Sequence, residues 1–188
     1  MTTITTSTNY ISPRLMLTLV SFFAIAWAII ANPKPEKSTS SALSISFTSL
    51  RANFDKLQCP AMSFDAFMMA WNGFQTLRAN MDLAVDSILT VVDFSKPSTQ
   101  DRLFVINTNQ WKVVLQTMVA HGRNTGDLYA ESFSNTMSSL QSSLGLYVTA
   151  GTYQGKHGYS LQIDGMEKGI NDKARERAVV IHGADYVS

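Results

Sequence analysis

Residues 155–188 read GKHGYSLQIDGMEKGINDKARERAVVIHGADYVS. Two short apolar runs stand in this stretch, each beside a His-Gly pair. His157-Gly158 precedes the run at 159–163, and His182-Gly183 closes the run Ala178-Val179-Val180-Ile181. A β-branched run of this length that ends in His-Gly reads as a strand delivering a histidine to a sheet edge, where glycine turns the chain. The polar, glycine-bearing residues 165–177 form the connection between the two strands. Histidine is the side chain best suited to proton transfer near neutral pH. The plainer reading of each is a polar residue that happens to end a strand.

Working outward, the same arrangement occurs once more upstream. The run 111–119 leads to His121-Gly122, so all three histidines of the chain precede a glycine. Loops at one end of a β domain are common functional positions, which raises the idea of a shared site. Zinc accepts three histidines and a water. No His-x-His or His-x-x-x-His pair is present, however, so a zinc hydrolase would depend wholly on the fold bringing the three together. The single cysteine, Cys59, excludes an internal disulfide and any thiolate-rich zinc site.

The remaining elements follow from pattern. Ile88-Leu89-Thr90-Val91-Val92-Asp93-Phe94 is a strand that Lys96-Pro97-Ser98 ends. The runs 103–106 and 111–115 flank Asn107-Thr108-Asn109-Gln110 and read as a hairpin. Residues 123–143 are long and polar, as in a functional connection. Strands are expected at 144–149, 159–163 and 177–181, with one helical turn over 171–177. Upstream, Phe64, Phe67, Met68, Trp71 and Phe74 recur at helical spacing behind Ser63, a suitable N-cap, and give a helix over 63–80. Gly73 weakens its interior by up to ~1 kcal/mol relative to alanine. The expected fold is mainly β with N-terminal helices: a helical segment at 63–86, then an antiparallel β domain over 87–188.

The N-terminal part differs in composition. Residues 15–31 are apolar, LMLTLVSFFAIAWAIIA. Their length falls between a signal-peptide core and a membrane span. Ala26-Trp27-Ala28 could be a cleavage site, so residues 1–31 are expected to be a signal peptide or a membrane anchor. Residues 32–62, with Pro33, Pro35 and many serines, suit a flexible spacer. The chain is 188 residues long with a formal net charge of +1. That length accommodates one domain plus a targeting segment, and the charge balance gives no nucleic-acid footprint.

Taken in order, Val119-Ala120-His121-Gly122-Arg123-Asn124, Phe133-Ser134-Asn135, Ser142-Ser143-Leu144-Gly145, Gly155-Lys156-His157-Gly158-Tyr159-Ser160-Leu161, Glu167-Lys168-Gly169, Asn171-Asp172, Ala174-Arg175 and His182-Gly183-Ala184-Asp185-Tyr186-Val187-Ser188 resemble the murein L,D-transpeptidase catalytic-domain family. The resemblance runs from about Ile88 to the last residue. It implies cysteine acyl transfer between peptidoglycan stem peptides in the periplasm or cell envelope, without a cofactor. It also implies His182 as base, Gly183 as the backbone group that orients the ring, and His157, Tyr159 and His121 as substrate-binding residues. In the family a Ser-x-Gly-Cys segment that carries the nucleophile follows the His-Gly motif. No such segment is present in the sequence, so the β domain is expected to be partial, C-terminally incomplete and inactive as written. Cys59-Pro60-Ala61 looks like the Cys-Pro-Ala of that segment, but Gln58 replaces its glycine and it lies upstream, as a lone cysteine near a helix start. Two classes stand side by side: a truncated transpeptidase, and a non-catalytic envelope protein that binds stem peptides.

Overall fold

The computed structural model describes residues 39–185 and Val187. The apolar run at 15–31 lies outside the described residues. The spacer expected over 32–62 is the first point of difference, because helix α1 occupies Thr39–Lys56. Pro33 and Pro35 stand upstream of the helix and Pro60 follows it, so none interrupts it. Leu50, Phe54 and Leu57 recur at four and then three residues, so one face turns inward, and Leu50 and Leu57 are buried. Serine-rich composition masked that apolar stripe. Among the described residues no helix is long and apolar enough to cross a membrane.

Helix α2 spans Phe64–Asn80. Ser63 caps it as its residue type suggests: its Oγ accepts from Ala66 N at 3.2 Å and donates to Asp93 Oδ2 at 2.9 Å. The cap thereby ties the helix start to the end of the first strand. Gly73 has a packing reason. A Cβ at that position would stand 2.1 Å from Leu146 Cδ2, so glycine is what lets Leu146 approach the helix.

Strands β1 (Ile88–Val92), β2 (Leu103–Asn107) and β3 (Lys112–Thr117) form an antiparallel meander. In β1 only Leu89 and Val91 are buried, and they oppose Ile106 and Phe104 across the ladder. The four side chains make one apolar face, which Leu50, Phe67 and Phe74 of the helices and Leu57 and Met62 of the link between them cover. The hairpin stands where the Asn-bearing turn places it, except that Trp111 leaves the strand. It adopts φ 49°, in the left-handed region, and its indole packs on Trp71 at 5.0 Å between centroids. Strain of this kind costs about 1–3 kcal/mol, and burial of the indole among Phe67 and Trp71 offsets it.

The second antiparallel sheet comprises β4 (Tyr147–Gly155), β5 (Gly158–Gly165) and β6 (Val180–His182). β4 starts later than the expected 144–149 and runs longer. Residues 144–146 are diverted into side-chain bonds: Leu146 N donates to Glu167 Oε2 at 2.7 Å, and Leu146 O accepts from Asn171 Nδ2 at 2.9 Å. β6 is shorter than the expected 177–181, because Arg177 N and Ala178 N donate back to Lys173 O and Arg175 O in a run of turns. Among the described residues the protein is thus mainly antiparallel β, with two helices on the N-terminal side.

Candidate active site

β5 and β6 place the two C-terminal histidines. Gly155 pairs with Gly158, so Lys156 and His157 are the two residues of a tight turn between β4 and β5. Ser160 pairs with His182 on the neighbouring strand. The turn therefore leans towards the end of β6, and the imidazoles of His157 and His182 stack with centroids 4.7 Å apart and planes 18° off parallel. His182 Nδ1 lies 2.8 Å from Gly183 O. A carbonyl can only accept, so Nδ1 carries the proton and Nε2 keeps its lone pair. That tautomer suits a general base.

His121 stands in a different environment. Arg102 is fully buried, and its Nη2 contacts His121 Nδ1 at 2.8 Å. Guanidinium can only donate, so Nδ1 is the acceptor. Nε2–H then donates to Gly126 O at 3.1 Å. Both ring nitrogens are used within the protein, and the neutral Nε2–H tautomer is the one that fits. Arg102 also donates to Val119 O and Lys96 O, and its guanidinium lies 5.2 Å from the centre of the Phe94 ring. Burial pushes the guanidinium below its ordinary value, opposed by the charge of Asp93. These bonds hold the start of the 122–143 connection against the first sheet. The three histidines thus do not converge. Among the described residues no group of three His, Cys, Asp or Glu side chains is placed to hold a metal ion. The stacked pair also keeps its lone pairs in two nearly parallel planes.

The walls come from residues that sequence reasoning left without a role. Arg177 Nη1 donates to Ser134 O at 2.7 Å and to Ser143 Oγ at 3.2 Å, and Nη2 donates to Ser139 Oγ and Gln141 O. One guanidinium gathers the long polar connection. Asn171, fully buried, accepts from Glu167 N at 2.8 Å. Asp172 accepts from Gly169 N and then from Asn135 Nδ2, which holds its carboxyl below the usual carboxylate range. Tyr147 donates to Ser143 O at 2.9 Å, and burial pushes its phenol up. Glu167, Asn171 and Asp172 stood in the quoted motifs. Arg102 and Arg177 carried no local signal, since a buried charge depends on distant carbonyls.

An open cleft of about 1710 Å³ runs through this region. His121, Phe133, Arg177, His182 and Gly183 line it, with Val91 of β1 on another wall. His157 and Tyr159 are not among its lining residues. Tyr159 is 70% exposed, and its hydroxyl donates to Thr152 Oγ1 at 3.0 Å. Cys59 Sγ is engaged elsewhere, donating to Gln116 Oε1 of β3 at 3.2 Å.

The described residues form an antiparallel β domain with helices on its N-terminal side, and one wall of its cleft ends in a His-Gly strand. The chain matches the family described as L,D-transpeptidase catalytic domain over residues 58–188, and it belongs to that family. The match begins upstream of the strands and takes in α2. No curated protein and no solved structure matches the chain.

Proposed function

We propose that this domain acts on peptidoglycan stem peptides by cysteine acyl transfer, with His182 as general base. One observation carries the reading: Nδ1–H of His182 is spent on Gly183 O at 2.8 Å, which orients the ring and leaves Nε2 to take a thiol proton. The thiolate attacks the carbonyl of a diaminopimelate residue. The proton held on His182 passes to the departing amine of D-alanine as the acyl-enzyme forms. An acceptor amine then attacks the thioester, gives up a proton to His182 Nε2 and releases the thiolate as the new amide forms. Gly183 is the orienting backbone group. In this reading His121 serves the site by holding its wall through Arg102, rather than by touching substrate.

The thiol in this scheme is the cysteine of a Ser-x-Gly-Cys segment. Cys59, the sole cysteine of these 188 residues, is hydrogen-bonded to Gln116 and is not assigned the role. That engagement favours a second reading for these residues alone, a stem-peptide binder without turnover. Intact-mass spectrometry after incubation with a carbapenem separates the two. The 188-residue chain is expected to gain no adduct. A chain extended by a Ser-x-Gly-Cys segment is expected to gain one that His182→Ala reduces about 10²–10⁴-fold in rate. An adduct on the 188-residue chain that Cys59→Ala abolishes would make Cys59 the nucleophile and overturn the assignment.

A further inference from the structure

We propose that Arg123 sets which peptides the cleft accepts, by pairing its guanidinium with one of the two carboxylates that flank the reacting carbonyl of the donor stem peptide. Those are the carboxylate of the terminal D-alanine and the free carboxyl of the diaminopimelate residue. The proposal deepens the reading of the domain as one that acts on stem peptides, and it rests on that reading. The charges of the cleft wall single Arg123 out. Arg177, the other arginine of the lining, is spent on carbonyls and hydroxyls of residues 134–143. Asp93 accepts from Ser63 and Ser95, and Glu167 accepts from Leu146 N. Arg123 also lines the cleft and is exposed, and among the described residues its side chain takes no ion pair, hydrogen bond or ring contact. The remaining lining carboxylate, Asp65, forms no ion pair with it. A guanidinium presents a planar fork of N–H donors that matches the two oxygens of a carboxylate.

The backbone holds Arg123 in place while its side chain stays unspent. Thr125 N donates to Gly122 O at 2.7 Å, which closes a turn with Arg123 inside it. Both flanks of that turn are clamped to residues 139–142. Gly122 N donates to Ser142 Oγ at 3.0 Å, and Asn124 N donates to Leu140 O at 3.0 Å. Asn124 Nδ2 donates to Ser139 O, and Asn124 O accepts from Gln141 Nε2. Glycine is needed for the approach, since a Cβ at Gly122 would stand 2.6 Å from Leu140 O. The clamping segment is itself strained. Ser138 and Leu140, which line the cleft, adopt φ 59° and 57°, in the left-handed region. Strain of this kind persists only where surrounding contacts hold it, and it gathers at ligand-binding sites. A surface arginine that served only solubility would need no such clamp. A pinned turn also spares the ordering cost when a ligand arrives.

The test is calorimetric binding of a stem tetrapeptide ending in diaminopimelate-D-alanine to the full 188-residue chain, which needs no nucleophile. Arg123→Gln is expected to weaken binding about tenfold. Arg123→Lys should weaken it less, because the charge stays while the fork is lost. Two further ligands carry an amide at the D-alanine or at the diaminopimelate carboxylate. The amide that removes the partner of Arg123 is expected to bind the native chain about tenfold more weakly than the tetrapeptide and to be indifferent to Arg123→Gln. Which amide behaves so identifies the carboxylate. Arg175→Gln removes an exposed positive charge outside the cleft lining and is expected to leave binding unchanged. The proposal is overturned if Arg123→Gln binds within about twofold of the native chain, if neither amide is indifferent to it, or if Arg175→Gln matches its loss. No binding to the native chain also overturns it. A lowered melting temperature in Arg123→Gln would reveal an internal partner for the side chain and overturn it too. Acylation that fails beside Arg123-dependent binding sinks the cysteine chemistry alone, and acylation that persists beside Arg123-independent binding sinks this proposal alone.

Discussion

At the scale of single residues, hydrogen-bond chemistry separates three histidines that look alike in the sequence. His121 is held by Arg102 and Gly126, His182 by Gly183, and His157 stacks on His182. His121→Ala removes the acceptor for a buried guanidinium N–H, so a loss of about 1–3 kcal/mol in folding stability is expected from urea denaturation. A wild-type stability for that variant would mean that Arg102 finds another partner. Tyr147 makes a prediction about pH. Burial raises its phenol above the ordinary 10.0, so the folded state holds the proton more tightly than the unfolded chain. The resulting stability is fully present below about pH 10 and is lost as pH rises through the folded-state value. Tyr147→Phe should lose the hydrogen bond to Ser143, costing about 0.5–1.5 kcal/mol at neutral pH, and should flatten the alkaline decline. Thermal melts from pH 8 to 11 measure both; an undiminished slope in the variant would place the titration elsewhere.

Elements were legible where the apolar pattern and its partner lie close in the chain. The Leu89 and Val91 alternation, the Asn-bearing turn after β2 and the Ser63 cap all depend on neighbours within a few residues, and each appears where it is expected. β6 began elsewhere because Arg177 N and Ala178 N donate back to Lys173 O and Arg175 O, and β4 because Glu167 and Asn171 clasp the backbone of Leu146 before a ladder can. That clasp needs Gly165. A Cβ there would lie 1.9 Å from Asn171 O, a backbone atom that cannot step aside cheaply. Gly165→Ala is therefore expected to cost at least about 1–3 kcal/mol through overpacking. Its melting temperature should fall, with a smaller change for alanine at Gly151, where an added Cβ meets only Gln162 Oε1 at 3.8 Å and the backbone is not left-handed. Equal shifts at both positions would refute the clasp.

For the molecule as a whole, family membership supports an envelope setting, because the family acts on peptidoglycan. Export is the matching expectation for residues 15–31. A reporter fused after residue 38, ahead of α1, should be active only outside the cytoplasm; activity confined to the cytoplasm would remove export from the account. The helices matter to the domain at this scale as well. Phe67 and Phe74 join Leu89, Val91, Phe104 and Ile106 in one buried cluster, so α2 completes the core of the first sheet. That agrees with a family match starting at residue 58.

The sequence by itself determined the helical stripe of α2, the β meander, the antiparallel class and the His-Gly strand end, since those rest on periodicity, caps and turns within short windows. Tertiary structure alone decided which histidines meet. The register that sets Ser160 against His182 brings the 156–157 turn onto the end of β6. A buried guanidinium, anchored on Val119 O and Lys96 O, takes His121 out of the set. A ring's stacking partner depends on groups from other strands, and the pairing of β5 with β6 crosses the whole 166–179 connection, beyond the reach of a local pattern.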